Sequence, residues 1–255
     1  MTVPLTVQTL GRFRVLRGDT ELTASDWGRE KAVQLFQYFV THSGALIHKA
    51  RLLEDLWPEL SEEKAERDFK VAFNALNDAL EPERSSRTAA VYLERQGLSY
   101  GLNVDAPIAI DFVSFEQTLK QKHDPQQRHQ VLQTALESYQ GDYLPEQLFA
   151  DWTAAARERL SSLFLFGATE LATLELATGN LGACAYWCER VIAQDSYWEE
   201  AYRLLMRAHQ RLGNRPKVKA LYQQLQQTLR DGLDLTPMAA TTALYQAALS
   251  DEAPV

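Results

Sequence analysis

Apolar and polar positions change their spacing along this chain, and each change marks a structural element. From Leu5 to Leu16 small or apolar residues alternate with polar ones and β-branched types are common, which predicts strands. Arg17-Gly18-Asp19 supplies a turn. Between Asp26 and His42 the set Ala32, Leu35, Phe36, Phe39 and Val40 takes helical spacing, and Ser43-Gly44 gives a stop. A second helix is predicted from about His48 to Leu56, ended by Trp57-Pro58, because proline disfavours helical geometry in the residue before it. Ser61 stands where it can cap a third helix running to Leu80, with Glu62 and Glu63 in the first turn, where the helix dipole favours negative charge, and Pro82 beyond the end. Val91 to Leu102 then reads as two short strands around Gly97. The predicted order is sheet, three helices, hairpin.

An extended link from Asn103 to Ile110 leads into a half that looks helical throughout, with Gly and Pro as punctuation. Gly179-Asn180 returns as Gly213-Asn214 after 34 residues, and at the same offset Leu171 matches Leu205 and Val191 matches Leu225. That period is the tetratricopeptide one, although the repeat's usual aromatic and small positions are only loosely kept. A stack of helical hairpins is predicted, each burying one face on its neighbour and leaving a groove for a partner.

The 255 residues are enough for two domains. With 45% hydrophobic and 24% charged residues, neither a disordered nor a fibrous chain fits. Apolar runs are broken well short of the roughly 18 residues needed to cross a bilayer, and the start Met1-Thr2-Val3-Pro4 has no signal-peptide pattern, so no membrane role is expected. Cys184 and Cys188 are too few for a disulfide framework, which points to a reducing, cytoplasmic setting. The balance of 26 Lys+Arg against 34 Asp+Glu, net −8, argues against broad attraction to polyanions. Up to Ile110 there are 13 basic and 16 acidic residues, so any nucleic-acid contact must be local.

Such a local surface is offered by the third helix. At about 100° per residue, Ala65, Phe69, Ala72, Leu76 and Leu80 share one stripe, while Arg67, Lys70, Val71, Asn74 and Asp78 fall opposite. Arg and Lys donate to guanine or phosphate, Asn pairs bidentately with adenine, and Val71 suits a thymine methyl. An ordinary solvated helix face has the same polarity, and the pattern alone does not separate the two. A two-helix unit with a tight turn, followed by a hairpin, is what a winged helix-turn-helix requires.

Taken together, these residues make the chain resemble the regulators named after the Streptomyces antibiotic regulatory proteins, which join an OmpR-type winged helix to a bacterial transcriptional activator domain. The resemblance is carried by Leu10-Gly11-Arg12-Phe13, Arg29-Glu30-Lys31-Ala32, Leu52 to Trp57-Pro58, and Tyr92-Leu93 with Tyr100-Gly101-Leu102. Further along it rests on Asp111-Phe112, Phe115, Gly141-Asp142-Tyr143-Leu144-Pro145, Trp152, Arg157-Glu158-Arg159-Leu160, Leu204-Leu205-Met206 with Gly213, and Leu233 to Pro237. It implies a mainly α protein: a winged helix-turn-helix over residues 1–105, then an all-α, tetratricopeptide-like activator domain over 111–255. It implies a sequence-specific activator of transcription with helix three in the major groove of double-stranded DNA, bound as a homodimer on direct repeats and touching RNA polymerase or its sigma subunit. Arg67, Lys70 and Asn74 occupy family positions facing DNA, with Val71 beside them, and Arg95 and Gln96 lie at the wing tip. Lys31, Lys49 and Arg51 stand near helix starts, where phosphate contacts are expected. The sequence departs from the family after Asn74, where Ala75, Asn77 and Asp78 replace a frequent run of arginines.

Other chemistry has little support. Cys184 and Cys188 share a helix face one turn apart, but no His or further Cys follows at metal-site spacing, so a buried or semi-buried pair is expected and no metal or cofactor. His42, His48, His123, His129 and His209 are scattered. The phosphate-loop, serine-elbow and zinc-helix motifs are missing, which leaves an enzyme without an anchor. The aromatics of the second half fit either a core or a binding surface. Glu199, Glu200, Arg203 and Arg207 fit a salt-bridged outer face or the rim of a groove. The rival to a DNA-binding regulator is an interaction scaffold whose winged helix has lost DNA affinity, favoured by the acidic balance and the missing arginines.

Overall fold

The computed structural model describes residues 2–85, 88–121 and 124–250. His123 therefore lies outside the described residues. The chain divides into two compact units, one of Met1–Ser114 with Gln140–Arg159 and one of Phe115–Tyr139 with Leu160–Val255. This division differs from the expected cut at 105/111, because residues 140–159 return to the first unit.

The first unit opens with strands β1 (Leu5–Gln8), β2 (Arg14–Arg17) and β3 (Thr20–Glu21). Helices α1 (Ala24–Trp27) and α2 (Glu30–Thr41) follow. One helix was expected from Asp26 to His42, but Gly28 adopts φ +66° and ends the first turn there, so the chain restarts at Glu30. Strand β4 (Ile47–His48) leads into α3 (Lys49–Leu56) and then α4 (Glu62–Leu80), the third helix of the sequence reading. Ser61 holds the cap position of α4, but its side chain makes no cap hydrogen bond. Strands β5 (Leu93–Gln96) and β6 (Ser99–Leu102) form the hairpin, paired in register from Leu93 with Leu102 to Gln96 with Ser99. Beside β6, β4 adds a third strand.

Part of the supposed link is a strand, β7 (Ile108–Ile110), parallel to β1, so the first sheet runs β3-β2-β1-β7. Sequence alone misses it because three residues carry too little alternation to register.

The amino-terminal half of α5 (Asp111–Lys120) fastens this sheet. The Asp111 carboxylate accepts hydrogen bonds from Thr9 N (2.8 Å), Thr9 Oγ1 (2.6 Å) and Leu10 N (3.0 Å). Just past β1, Gly11 N–H donates to Asp142 O and Leu144 N–H to Thr9 O. Two family motifs therefore pack on each other. Gly11 has φ +88°, and a Cβ there would stand 2.9 Å from the Gln140 backbone, so no side chain fits. Tyr143 is fully buried beneath this crossing, sharing a 2.7 Å hydrogen bond with Thr41 and an edge-to-face contact with Phe112. The Arg157 guanidinium ties down the loop after it, donating to Gln147 O and Leu148 O, each at 3.0 Å.

Every secondary-structure element among the described residues of the second unit is a helix: the rest of α5, then α6 (Pro125–Ser138), most of α7 (Asp151–Thr178), α8 (Leu181–Gln194), α9 (Glu199–Arg211), α10 (Arg215–Leu233) and α11 (Ala239–Leu249). The 34-residue repeat falls on its turns. Gly179 (φ +81°) and Gly213 (φ +71°) each end a helix in the left-handed region, and Asn180 and Asn214 each precede the next. By length and composition α7 is able to cross a membrane, but half of its most apolar window is buried inside the fold, as in a core helix.

Arg190 is the polar pin of this unit. It donates to Leu136 O (3.2 Å) and Tyr139 O (2.5 Å), satisfying carbonyls at the end of α6, and lies over the rings of Phe164 and Trp187. Cys184 and Cys188 are both buried and unoxidised; their mutual S–H hydrogen bond holds the first thiol below its ordinary pKa and pushes the second up. Glu199 does not join an outer face, because it is buried and accepts from Met238 N (3.0 Å) and Thr241 Oγ1 (2.6 Å), capping α11. Among the described residues Glu200 pairs with Arg203 there.

Gly11→Ala is expected to lower stability by about 1–3 kcal/mol, seen as a reduced urea midpoint, since it must relieve both a positive φ and a backbone clash. In Glu199→Ala, α11 loses its carboxylate cap; hydrogen exchange of residues 239–249 should accelerate while α8 stays protected, with about 1–3 kcal/mol lost overall.

Candidate nucleic-acid interface

A helix of 19 residues can bury only one stripe, and α4 buries Ala65, Phe69, Ala72, Leu76 and Leu80. Around Phe69 the ring of Trp57 packs edge-on at 6.0 Å and that of Tyr100 at 4.9 Å, joining the end of α3, α4 and the hairpin. Asp68 fixes the orientation further, accepting from Arg29 Nη1 (3.1 Å) and Trp57 Nε1 (2.7 Å). With that face held, Arg67, Lys70, Val71, Asn74 and Asp78 are all exposed on the other, and Arg67 keeps 76% of its side chain in solvent.

Not every cation of the sequence reading reaches this surface freely. Lys31 turns inward: its Nζ donates to Leu56 O (2.5 Å), capping α3, and sits over the Trp57 ring. Burial there holds its pKa below the ordinary lysine value. The phosphate contact expected of Lys31 is thus opposed by its orientation. Lys49, at the start of α3, forms a short ion pair with Glu66 of α4, and the hydrogen bond and charge of Lys49 hold the Glu66 carboxyl below its usual range. Its backbone N–H donates to Leu98 O at the hairpin turn (2.8 Å), so hairpin and helix start are tied together. Arg51 is exposed but paired with Asp55 (3.1 Å), and Arg67 is paired loosely with Glu63 (3.4 Å).

At the hairpin tip Gly97 takes φ +61°, and Arg95 and Gln96 are exposed. Arg95 folds back, donating to Gly97 O (3.1 Å) and stacking over Tyr100 at 5.4 Å, while Gln96 donates to Glu94 (2.7 Å). Between α4 and the hairpin lies a cleft of about 520 Å³, lined by Asn74, Asn77, Arg84, Glu94, Arg95 and Asn103 among others. Arg84, which has no place in the sequence reading, sits just past Pro82 in a loop with no periodicity to mark it, donates to Thr88 O (2.9 Å) and lies beside Glu81. The Glu63–Arg67 spacing of four was visible in sequence, whereas Glu66 meets Lys49 only through the tertiary fold. Asn77 faces inward, donating to Phe73 O (2.8 Å).

A helical pair followed by a three-stranded wing, with the last helix exposed on one side, is a winged-helix arrangement. The model of the bacterial transcriptional activator domain matches residues 104–249, more than half of the sequence. The chain belongs to that family. Its members are transcriptional regulators, not a class of enzymes. Among solved structures, Mycobacterium tuberculosis EmbR in complex with a low-affinity phosphopeptide matches with a TM-score of 0.76 at 18% identity, over 97% of this chain. The chain spans 65% of that protein's length, and the likeness is one of fold, extending through the winged helix and the helical unit together. No curated protein sequence matches. Among the described residues no cluster of His, Cys, Asp and Glu is suited to a metal ion.

Because its ammonium faces the protein, Lys31→Met should leave duplex affinity within about twofold. The lost α3 cap should instead cost about 1 kcal/mol in a denaturant titration.

Proposed function

We propose that this regulator activates transcription in the cytoplasm by binding double-stranded DNA through α4, with the β5–β6 wing on the flanking groove. The observation that carries the reading is the unobstructed row Arg67, Lys70, Val71 and Asn74 on a helix whose other face is locked into the unit's core. Lys70 and Arg67 reach phosphate or guanine, Asn74 an adenine edge, and Val71 a thymine methyl. Lys49 and Arg51 add phosphate contacts at the start of α3, and Arg95 and Gln96 add them from the wing; Lys31 is left out of the set. Each α4 reads one half-site, and two copies on direct repeats one helical turn apart supply the length of a full operator. The second unit serves dimerisation or contact with polymerase or its sigma subunit, the use to which stacked helical hairpins are suited. The scaffold alternative, already favoured by the acidic balance and the missing arginines, is also supported by the pairing of Lys49, Arg51 and Arg67 with carboxylates.

Arg67→Ala with Lys70→Ala should weaken binding to promoter duplex about tenfold or more and flatten the log–log salt dependence by roughly 0.9 per lost phosphate contact. Unchanged affinity removes α4 as the reading element. If the unaltered protein shows no salt-sensitive binding to any duplex at low salt, the scaffold reading replaces this one.

A further inference from the structure

Glu66 stands among the cations that the DNA-binding reading relies on. It lies one turn before Lys70 on α4, and its carboxylate is bonded to Lys49 Nζ across the gap between α3 and α4. Lys49 keeps 18% of its side chain in solvent and Glu66 34%, so the pair sits at the surface rather than in the core. Lys70 makes no hydrogen bond or ion pair among the described residues, yet its charge acts on the Glu66 carboxyl. One turn earlier, Glu63 repeats the arrangement with Arg67.

A duplex phosphate approaching Lys49 thus meets an ammonium that already has an anionic partner on the same protein. To take the lysine, the phosphate must displace that carboxylate, which stays close to the DNA afterwards as a like charge. Both effects subtract from the sequence-independent part of binding, the part that comes from neutralising phosphates. Base-edge contacts by Asn74 and Val71 are untouched by them.

We infer that Glu66, seconded by Glu63, is an internal mimic of DNA phosphate that occupies Lys49 and screens Lys70, lowering non-specific affinity so that occupancy depends on base readout. This rests on the DNA-binding reading and adds a specificity-setting role for carboxylates that the reading otherwise counts as defects. It gives the missing arginines after Asn74 the same sense, since both features trim backbone attraction. It also makes Glu66 a positioning residue rather than a contact: it acts only through Lys49 and Lys70.

The test is a titration of a short mixed-sequence duplex by the full chain across a range of salt, with Glu66→Gln, Glu63→Gln, Lys49→Ala, the Lys49→Ala/Glu66→Gln double variant, and Glu62→Gln as a charge-matched control. Glu66→Gln should bind about threefold tighter at physiological salt, with a salt slope steeper by about 0.9, one phosphate contact's worth. In the Lys49→Ala background the gain should shrink to the smaller part that relief of Lys70 gives. Glu63→Gln, whose carboxylate is almost fully exposed, guards against a Glu66 variant that fails to fold, and should steepen the slope in the same sense through Arg67. Circular dichroism checks each variant's fold. If Glu66→Gln and Glu63→Gln behave like Glu62→Gln, or the gain survives loss of Lys49 undiminished, the mimic is refuted while DNA binding stands. Absence of salt-sensitive binding by the unaltered chain at low salt overturns the DNA-binding reading and the mimic with it.

Discussion

The first unit depends on the burial of one stripe of α4. Ala65, Phe69, Ala72, Leu76 and Leu80 are all removed from solvent, and each large side chain so buried contributes about 1.5–3 kcal/mol. Phe69 is the centre of that contact, touching Trp57 from α3 and Tyr100 from the wing. A helix fixed along one stripe has no freedom to choose which residues face outward. Arg67, Lys70, Val71 and Asn74 are exposed because the core compels it, and the polar bonds of Asp68 to Arg29 and Trp57 set the helix's rotation. The row that the proposal assigns to DNA readout is therefore presented by packing, which is what a reading helix would need, since its side chains must be held in place before a duplex arrives.

Charge works against the same surface. Most of its cations meet carboxylates of their own unit, and Lys31 is withdrawn altogether to cap α3. Exposed ion pairs of this kind contribute little to folding stability. In the proposed DNA-binding role their weight falls on binding, where an acidic chain of net −8 would have to approach a polyanion. On that proposal the balance favours contacts that read bases over contacts that merely neutralise phosphate.

Much of this was legible in sequence, and the divisions between what was and was not have physical causes. Helical spacing located α3 and α4 to within a residue and sorted the two faces of α4 correctly, because a buried stripe with 3.6-residue periodicity leaves a strong imprint. Gly179-Asn180 and Gly213-Asn214 marked real turns, since a left-handed helix end favours glycine so strongly. Short elements escaped: β4, with two residues, and β7, with three, exist only through their partners. The return of residues 140–159 to the first unit was invisible because it depends on long-range contacts, the backbone bonds of Gly11 and Leu144 and the Tyr143–Thr41 pair, that no local periodicity encodes. Long-range pairings such as Glu66 with Lys49, and the inward turn of Lys31, likewise depend on which segments the fold brings together. Cys184 and Cys188, expected as a buried or semi-buried pair, are both buried.

The central claim, that α4 and the wing form the DNA-facing surface, is tested most directly by following backbone amide resonances of the intact chain while duplex DNA is added. The account predicts shifts concentrated in residues 62–78 of α4, the first turn of α3 and the turn around Gly97, with the helices from α8 onward unmoved by a duplex carrying one half-site. Shifts that spare α4 while a different surface responds would contradict it.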